Sequence, residues 1–199
     1  MARTRASDFE EKQHAILIAA AAVFARQGME KASMAQIAAQ AQVSKALLYH
    51  YYPSKDALIF GIVHSHLTDL DASVAGADDQ DLPAQDRLRA LIWAVLDAYR
   101  GADDQHYVQL NGAAALSEDQ KSELRALERR IVRRFSETLR EINPRLDGER
   151  RQLLMPVTMS LFGMLNWVYL WFKEGGPVTR EDYASLAATL ILKGVQAVE

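Results

Sequence analysis

Ser33–Leu58 reads SMAQIAAQAQVSKALLYHYYPSKDAL, a pattern of two short helices joined by a tight turn. Ser33 is a strong N-cap, and Gln36 three residues later completes a capping box. Met34, Ile37, Ala38 and Ala41 then recur at helical spacing and give one apolar face. Gln42 and Val43 form the turn. Ser44 caps a second helix over Lys45–Tyr52, which Pro53 ends because the residue before a proline avoids the helical region. Helix, short turn and helix is the helix-turn-helix pattern, whose second helix lies in the major groove of DNA. At about 100° per residue, Lys45, Ala46, Tyr49 and His50 share one arc of that helix, and Leu47, Leu48 and Tyr51 share the opposite one. Lys45, Tyr49, His50 and the following Lys55 suit phosphate contacts, and Ala46 can touch a thymine methyl. Ser33 and Ser44 add the N–H donors of the helix ends they cap. An ordinary helical hairpin with a solvated polar face is the alternative reading.

Charge distribution favours the groove reader. The chain has 199 residues and a formal net charge of −3, yet residues 1–60 hold seven Lys/Arg against five Asp/Glu. DNA binding needs a local basic surface, so this asymmetry outweighs the total. The opening MARTRAS reads either as an arm ahead of the first helix, with Arg3 and Arg5 able to reach a minor groove, or as a disordered start with incidental arginines. Cysteine is absent, which excludes disulfides, thiolate metal sites and cysteine nucleophiles. The five histidines have no zinc-site spacing, and no glycine-rich phosphate loop is present. Neither metal, cofactor nor catalysis is expected. The polar N-terminus has no signal-peptide core, which points to the cytoplasm.

The remaining pattern is all-α, with about nine helices expected. The first runs from about Asp8 to Gln27, opened by a Ser7–Glu10 box and closed by Gly28. The fourth begins near Ser54 and reaches about Ser73, before a linker at Gly76–Pro83. The fifth spans Ala84 to about Arg100, with Leu88, Leu91, Ile92, Val95 and Tyr99 at core spacing. A sixth covers about Gln105–Leu116, and a seventh runs from the Ser117–Gln120 box to just before Asn143. The eighth is expected over Asp147–Glu174, and the ninth opens at Thr179 and reaches the C-terminus. Leu153–Phe172 is twenty residues without a formal charge, long enough to cross a membrane. Pro156, Thr158, Ser160, Gly163 and Asn166 interrupt it, so it reads as a central buried helix with no membrane partner.

Two further features concern partners. Tyr183, Leu186, Ala187, Leu190, Ile191 and Gly194 form a stripe on the ninth helix, to be covered by the eighth helix or by a second subunit. A binding pocket needs a few polar groups among apolar walls. Candidates are Trp93 and Tyr99, then His106, Tyr107 and Asn111, then Asn166, Trp167 and Tyr169. On the seventh helix Arg125, Arg129 and Arg133 form a stripe with Arg130 and Arg134 beside it. That cluster reads either as a phosphate clamp or as a solvated face balanced by Glu128 and Glu137.

The run VFARQGMEKASMAQIAAQAQVSKALLYHYYPSKDAL (Val23–Leu58), within Phe9–Leu67, resembles the DNA-binding domain of the TetR family of bacterial regulators. Two positions depart from that pattern: Gln42 stands where a turn glycine is usual, and Ala46 where glycine is frequent. The resemblance implies a DNA-binding domain over residues 1–53 and an effector-binding and dimerisation domain over residues 54–199. It also implies a homodimer joined through its eighth and ninth helices, bound to a palindromic operator as a repressor and released by a small molecule. A ligand-independent structural DNA-binding dimer is the alternative. Phe162–Pro177 resembles the eighth helix of family members that control fatty-acid, sterol and aromatic-acid catabolism, which implies an acyl- or aryl-acyl-CoA effector. Met155, Met159, Phe162 and Trp167 would then line an acyl slot. Asn166 would meet the carbonyl, and Arg130 and Arg134 the phosphates.

Overall fold

The computed structural model describes residues 2–148 and 152–198, the side chains of residues 2–8 and 10 excepted. Its helices are α1 Ala2–Gln27, α2 Met34–Gln40, α3 Lys45–Tyr51, α4 Lys55–Ala77, α5 Ala84–Ala98, α6 Asp103–Asn111, α7 Glu118–Ile142, α8 Leu154–Asn166, α9 Val168–Trp171 and α10 Arg180–Gln196. Short 3-10 turns lie at Ala113–Ala115 and Pro144–Leu146. The all-α expectation holds; among the described residues the only β pairing is an isolated bridge between Asp147 and Gln152. Packing divides the chain into two compact units, residues 1–67 with 101–124 and residues 68–100 with 125–199. This cut falls inside α4 and α7, whereas the expected functional boundary lies at residues 53/54.

The first unit is built on α1, which buries Ile16, Leu17, Ala20, Ala21, Val23 and Phe24 at helical spacing and packs on both α2 and α6. Gly28 ends α1 at φ 80°, with its N–H donating to the Phe24 carbonyl at 2.9 Å. Ile37 and Ala38 of α2, Leu48 of α3, and Leu58, Ile59, Ile62 and Val63 of α4 complete the core. Each is apolar and recurs once per turn, so burial rather than propensity holds these short helices; seven residues are too few for a stable isolated helix.

In the second unit α5 packs against α8 and α10. It buries Leu88, Leu91, Ile92 and Val95 completely and Tyr99 to 5% exposure, the expected core face, and buries Leu96 as well. Thr179 and Asp182 form a reciprocal capping box at the start of α10. Arg180, 4% exposed, donates to the Leu96 carbonyl at 3.1 Å, pairs with Glu174 and lies 4.7 Å from the Phe172 ring centroid. A buried guanidinium is tolerable because carbonyl, carboxylate and ring face replace its water.

Several boundaries differ from expectation. The first helix begins at Ala2, not Asp8, so the expected arm is helical; its Ala and Arg residues are good helix formers. The side chains of Arg3 and Arg5 lie outside the described residues. α4 continues to Ala77, and α6 stops at Asn111. Residues 149–151, the expected opening turns of the eighth helix, lie outside the described set, and α8 starts at Leu154.

The eighth helix also breaks at Trp167. In an uninterrupted helix the Met164 carbonyl would accept from Val168 N–H; here it accepts the Tyr183 hydroxyl at 3.0 Å. The Asn166 side chain accepts the Tyr99 hydroxyl at 3.0 Å. The segment is not buried all round either. Met155, Met159, Trp167, Leu170 and Trp171 are each about half exposed.

Candidate nucleic-acid interface

Both helices of the motif are capped as their sequence requires. Ser33 accepts from Gln36 N–H at 3.3 Å while its own N–H donates to the Gln36 side chain at 2.9 Å. Ser44 accepts from Leu47 N–H at 3.1 Å. The oxygens of Ser33 and Ser44 are therefore engaged by their own helix ends. Between the helices Gln42 adopts φ 55°, the only non-glycine with positive φ among the described residues. Its N–H donates to the Ala39 carbonyl, and Val43 N–H to the Ala38 carbonyl, so two bonds lock the turn in the left-handed region. For a residue carrying a Cβ that region costs roughly 1–2 kcal/mol.

The expected recognition helix, α3, is polarised. Leu48 is fully buried, while Lys45, Ala46, Tyr49 and His50 are exposed. Their arc offers a cation, a phenol and an imidazole around a methyl-sized residue that lets a duplex approach. Tyr52 caps the helix and is 6% exposed; burial pushes its hydroxyl above the ordinary tyrosine range. It sits against Gly61 of α4, where an added Cβ would lie 2.9 Å from the Tyr52 ring and 3.0 Å from Leu17. A side chain at residue 61 would thus lift α3 from α1 and α4.

Four contacts around α3 were not foreseen. Phe9 of α1 packs on Tyr51 with ring centroids 4.8 Å apart, and the Tyr51 edge meets His50 at 5.7 Å. Arg26 of α1 donates to the Gln40 side chain at 2.9 Å. Lys55 donates to the carbonyls of Met29 and Glu30, both at 2.9 Å. The lysine expected to meet phosphate thus spends two of its three donors bracing the turn after α1. The small residue at 61 among bulky neighbours was the one signal of close approach that sequence offered.

The expected effector residues divide between the units. In the first, His106 is 1% exposed and faces His66 of α4 with ring centroids 5.8 Å apart. Burial, with the neighbouring His106 adding to it, lowers the His66 pKa to about 4. Tyr107 is half-buried and its carbonyl accepts from the exposed Asn111 amide at 2.8 Å, so Asn111 terminates α6 instead of facing an interior slot. Asn111 also lines an open groove of about 600 Å³ with the Gly28–Lys31 turn.

In the second unit Trp93 lines a groove of about 360 Å³ with Arg89, Ala90, Glu181 and Ala184. Tyr99 and Asn166 are joined by their hydrogen bond; burial, followed by the nearby Glu128 carboxylate, pushes the Tyr99 hydroxyl far above its ordinary pKa. Phe162 points inward, 6% exposed, and meets Phe135 edge-on at 4.9 Å. Met155, Met159 and Trp167 do not line that interior. They are 52%, 51% and 57% exposed, because a helix with only one covered face leaves the opposite stripe in water. Arg130 and Arg134 both grip Asp71, at 2.8 and 2.9 Å, so the pair that the resemblance sets against CoA phosphates already holds an internal anion. Of the α10 stripe, Ala187 and Ile191 pack within the protomer and Tyr183 is half-buried. Leu186 and Leu190 are 50% and 55% exposed, and Gly194 is exposed too. Among the described residues no group of three metal-ligating side chains occurs.

Comparison with known proteins agrees with this geometry. Residues 16–62 match the family described as "Bacterial regulatory proteins, tetR family", and residues 81–195 match "Tetracyclin repressor-like, C-terminal domain". A TetR-family regulator from Bordetella parapertussis is similar in structure, with TM-score 0.83 and 31% identity over 94% of this chain and 97% of that one. The structure of AibR in complex with isovaleryl coenzyme A and operator DNA gives TM-score 0.77 and 26% identity, over 90% and 97% of the two chains. The transcriptional repressor KstR2 of Rhodococcus jostii is 25% identical over 90% of this chain and 89% of that protein. The chain spans about two fifths of the length of the first curated relatives it matches, one of them an activator.

Proposed function

Because the chain belongs to the TetR family of helix-turn-helix transcriptional regulators, and is not an enzyme, we propose that it acts in the cytoplasm as a homodimeric repressor. Two copies of α3 read the half-sites of a palindromic operator, about one helical turn of DNA apart. The observation that carries this reading is the exposed arc of Lys45, Ala46, Tyr49 and His50 over the buried Leu48. Lys45 and Tyr49 supply phosphate contacts and Ala46 approaches a base edge; Ser33 and Ser44 contribute through the helix ends they cap, and Arg3 and Arg5 through phosphates flanking the site. The second copy covers the apolar side chains that α8 and α10 leave about half in water, Met155, Met159 and Trp167 from the first stretch and Leu186 and Leu190 from the second. An exposed group of this kind marks an interaction surface.

Release is assigned to a small molecule, an acyl- or aryl-acyl-CoA thioester. Support comes from the likeness to AibR, whose structure holds isovaleryl coenzyme A and operator DNA together. Tyr99 and Asn166 are the polar groups of the second unit best placed to exchange their mutual bond for one to an acyl carbonyl, beside Phe162. A ligand-independent DNA-binding dimer is favoured by one observation: Tyr99, Asn166, Arg130 and Arg134 are satisfied within the chain.

The test begins with a duplex selected by the purified protein from a random-sequence pool. Lys45→Ala should weaken binding to it and lower the salt slope by about one unit, as for one lost phosphate contact. An unchanged slope removes Lys45 from the interface. A panel of CoA thioesters, acyl-pantetheines and free acids is then scored for release from that duplex. Release by none of them leaves the ligand-independent reading.

A further inference from the structure

The C-terminal half of α4 and the loop after it carry five aspartates and no lysine or arginine: DLDASVAGADDQD, residues 69–81. No basic residue lies in the last turn of α4, so the carboxylates face the negative end of the helix dipole and one another. Leu70 and Val74 are the large apolar anchors of this half; Ala72, Ser73, Ala75, Gly76 and Ala77 have little surface to bury. Charge therefore carries an unusual share of its fixation. Asp71, with its side chain 14% exposed, receives Arg130 at 2.8 and 3.0 Å on one oxygen and Arg134 at 2.9 Å on the other. Arg134 also reaches Asp78 at 3.6 Å, and Asp78 lies 3.7 Å from Arg87. Arg87, 4% exposed, continues to Thr138, Gln80 and Glu141. Three acids and three arginines from α4, α5, α7 and the intervening loop thus form one neutral network.

From this we propose that Asp71 is a positioning residue for operator binding: gripped by Arg130 and Arg134, it fixes the second half of α4. The first half of that helix, residues 55–67, belongs to the unit that carries α3. A loosened α4 spreads the molecule over more conformations, and affinity for a two-half-site operator falls by the fraction that remains competent. Contact with arbitrary DNA, which needs no fixed register, is spared.

The proposal rests on the operator-binding reading and is tested with the full chain and the selected duplex. Asp71→Asn keeps size and removes charge; it should weaken binding to the selected duplex about tenfold and leave low-salt binding to random-sequence DNA unchanged. Arg130→Gln, at a position whose side chain is 52% exposed, should give a smaller loss in the same direction without endangering the fold. Asp71→Arg should lose more, and Arg134→Asp added to it should recover part of that loss, as only a direct charge pair allows. Amide exchange over residues 68–77 should quicken in Asp71→Asn without DNA. The proposal is overturned by unchanged or tighter binding of Asp71→Asn, by equal losses on selected and random DNA, or by no recovery in the reversed pair. A wild-type protein that selects no duplex at all would instead sink the operator reading itself.

Discussion

Gln42 shows how a departure from the usual turn glycine translates into a single backbone angle. A residue at φ 55° replaces the usual turn glycine, so Gln42→Gly should stabilise the fold by about 0.5–1 kcal/mol: relief of Cβ crowding, less the extra chain entropy of glycine. Urea unfolding checks this, and a destabilised variant would mean that the glutamine side chain contributes more than its backbone costs. His66 sets a second test. Its folded pKa of about 4 lies below the ordinary 6.5, so the unfolded chain binds more protons between those values. The corresponding stability is fully present above pH 6.5 and is lost as pH falls toward 4, a change on the order of 3 kcal/mol. His66→Gln should flatten the stability profile in that window relative to the wild type. Parallel profiles would show that other groups carry the acid sensitivity.

At the scale of elements, capping chemistry and apolar spacing made most helix ends legible. The boxes at Ser33, Ser117 and Thr179 are all present, because a cap is a local interaction between residues three apart. The break at Trp167 was not legible, since its cause is nonlocal: hydroxyls from Tyr99 on α5 and Tyr183 on α10 reach a stretch that local pattern reads as one helix. The engagement of Arg130 and Arg134 was hidden for the same reason, Asp71 lying 59 and 63 residues away in sequence. The break offers its own test. Tyr99→Phe and Tyr183→Phe should each cost about 1 kcal/mol. Since both hold one short segment, the double variant should depart from additivity by at least about 0.5 kcal/mol. Strict additivity would show that the two hydroxyls act on independent features.

For the whole molecule, the proposed operator reading depends on the proposed assembly of two copies. Leu190→Glu places a carboxylate one helical turn from Leu186, both positions being about half in water in the single chain. The variant should keep its helical circular dichroism, because residue 190 is 55% exposed, yet sediment as a monomer, since association would desolvate an unpaired charge. Operator affinity should fall with it. A folded Leu190→Glu protein that still sediments as a dimer would move the interface to another face. The helix-turn-helix was legible in the sequence because its caps, turn and apolar positions sit within one run of twenty-six residues. The placing of the expected effector residues was less so, because Trp93, Met155, Met159 and Trp167 read as apolar in sequence whether they face a core or a partner.

The tryptophans turn this into something an optical instrument can follow. Of the three in the chain, Trp167 and Trp171 stand about half in water just beyond the helix break, and Trp171 meets the Tyr183 ring edge-on at 5.0 Å. Indole emission moves to shorter wavelength when water leaves its surroundings. For the proposed dimer, dilution through its dissociation range should therefore carry the emission maximum to the red with no label attached, so that assembly can be titrated separately from DNA binding.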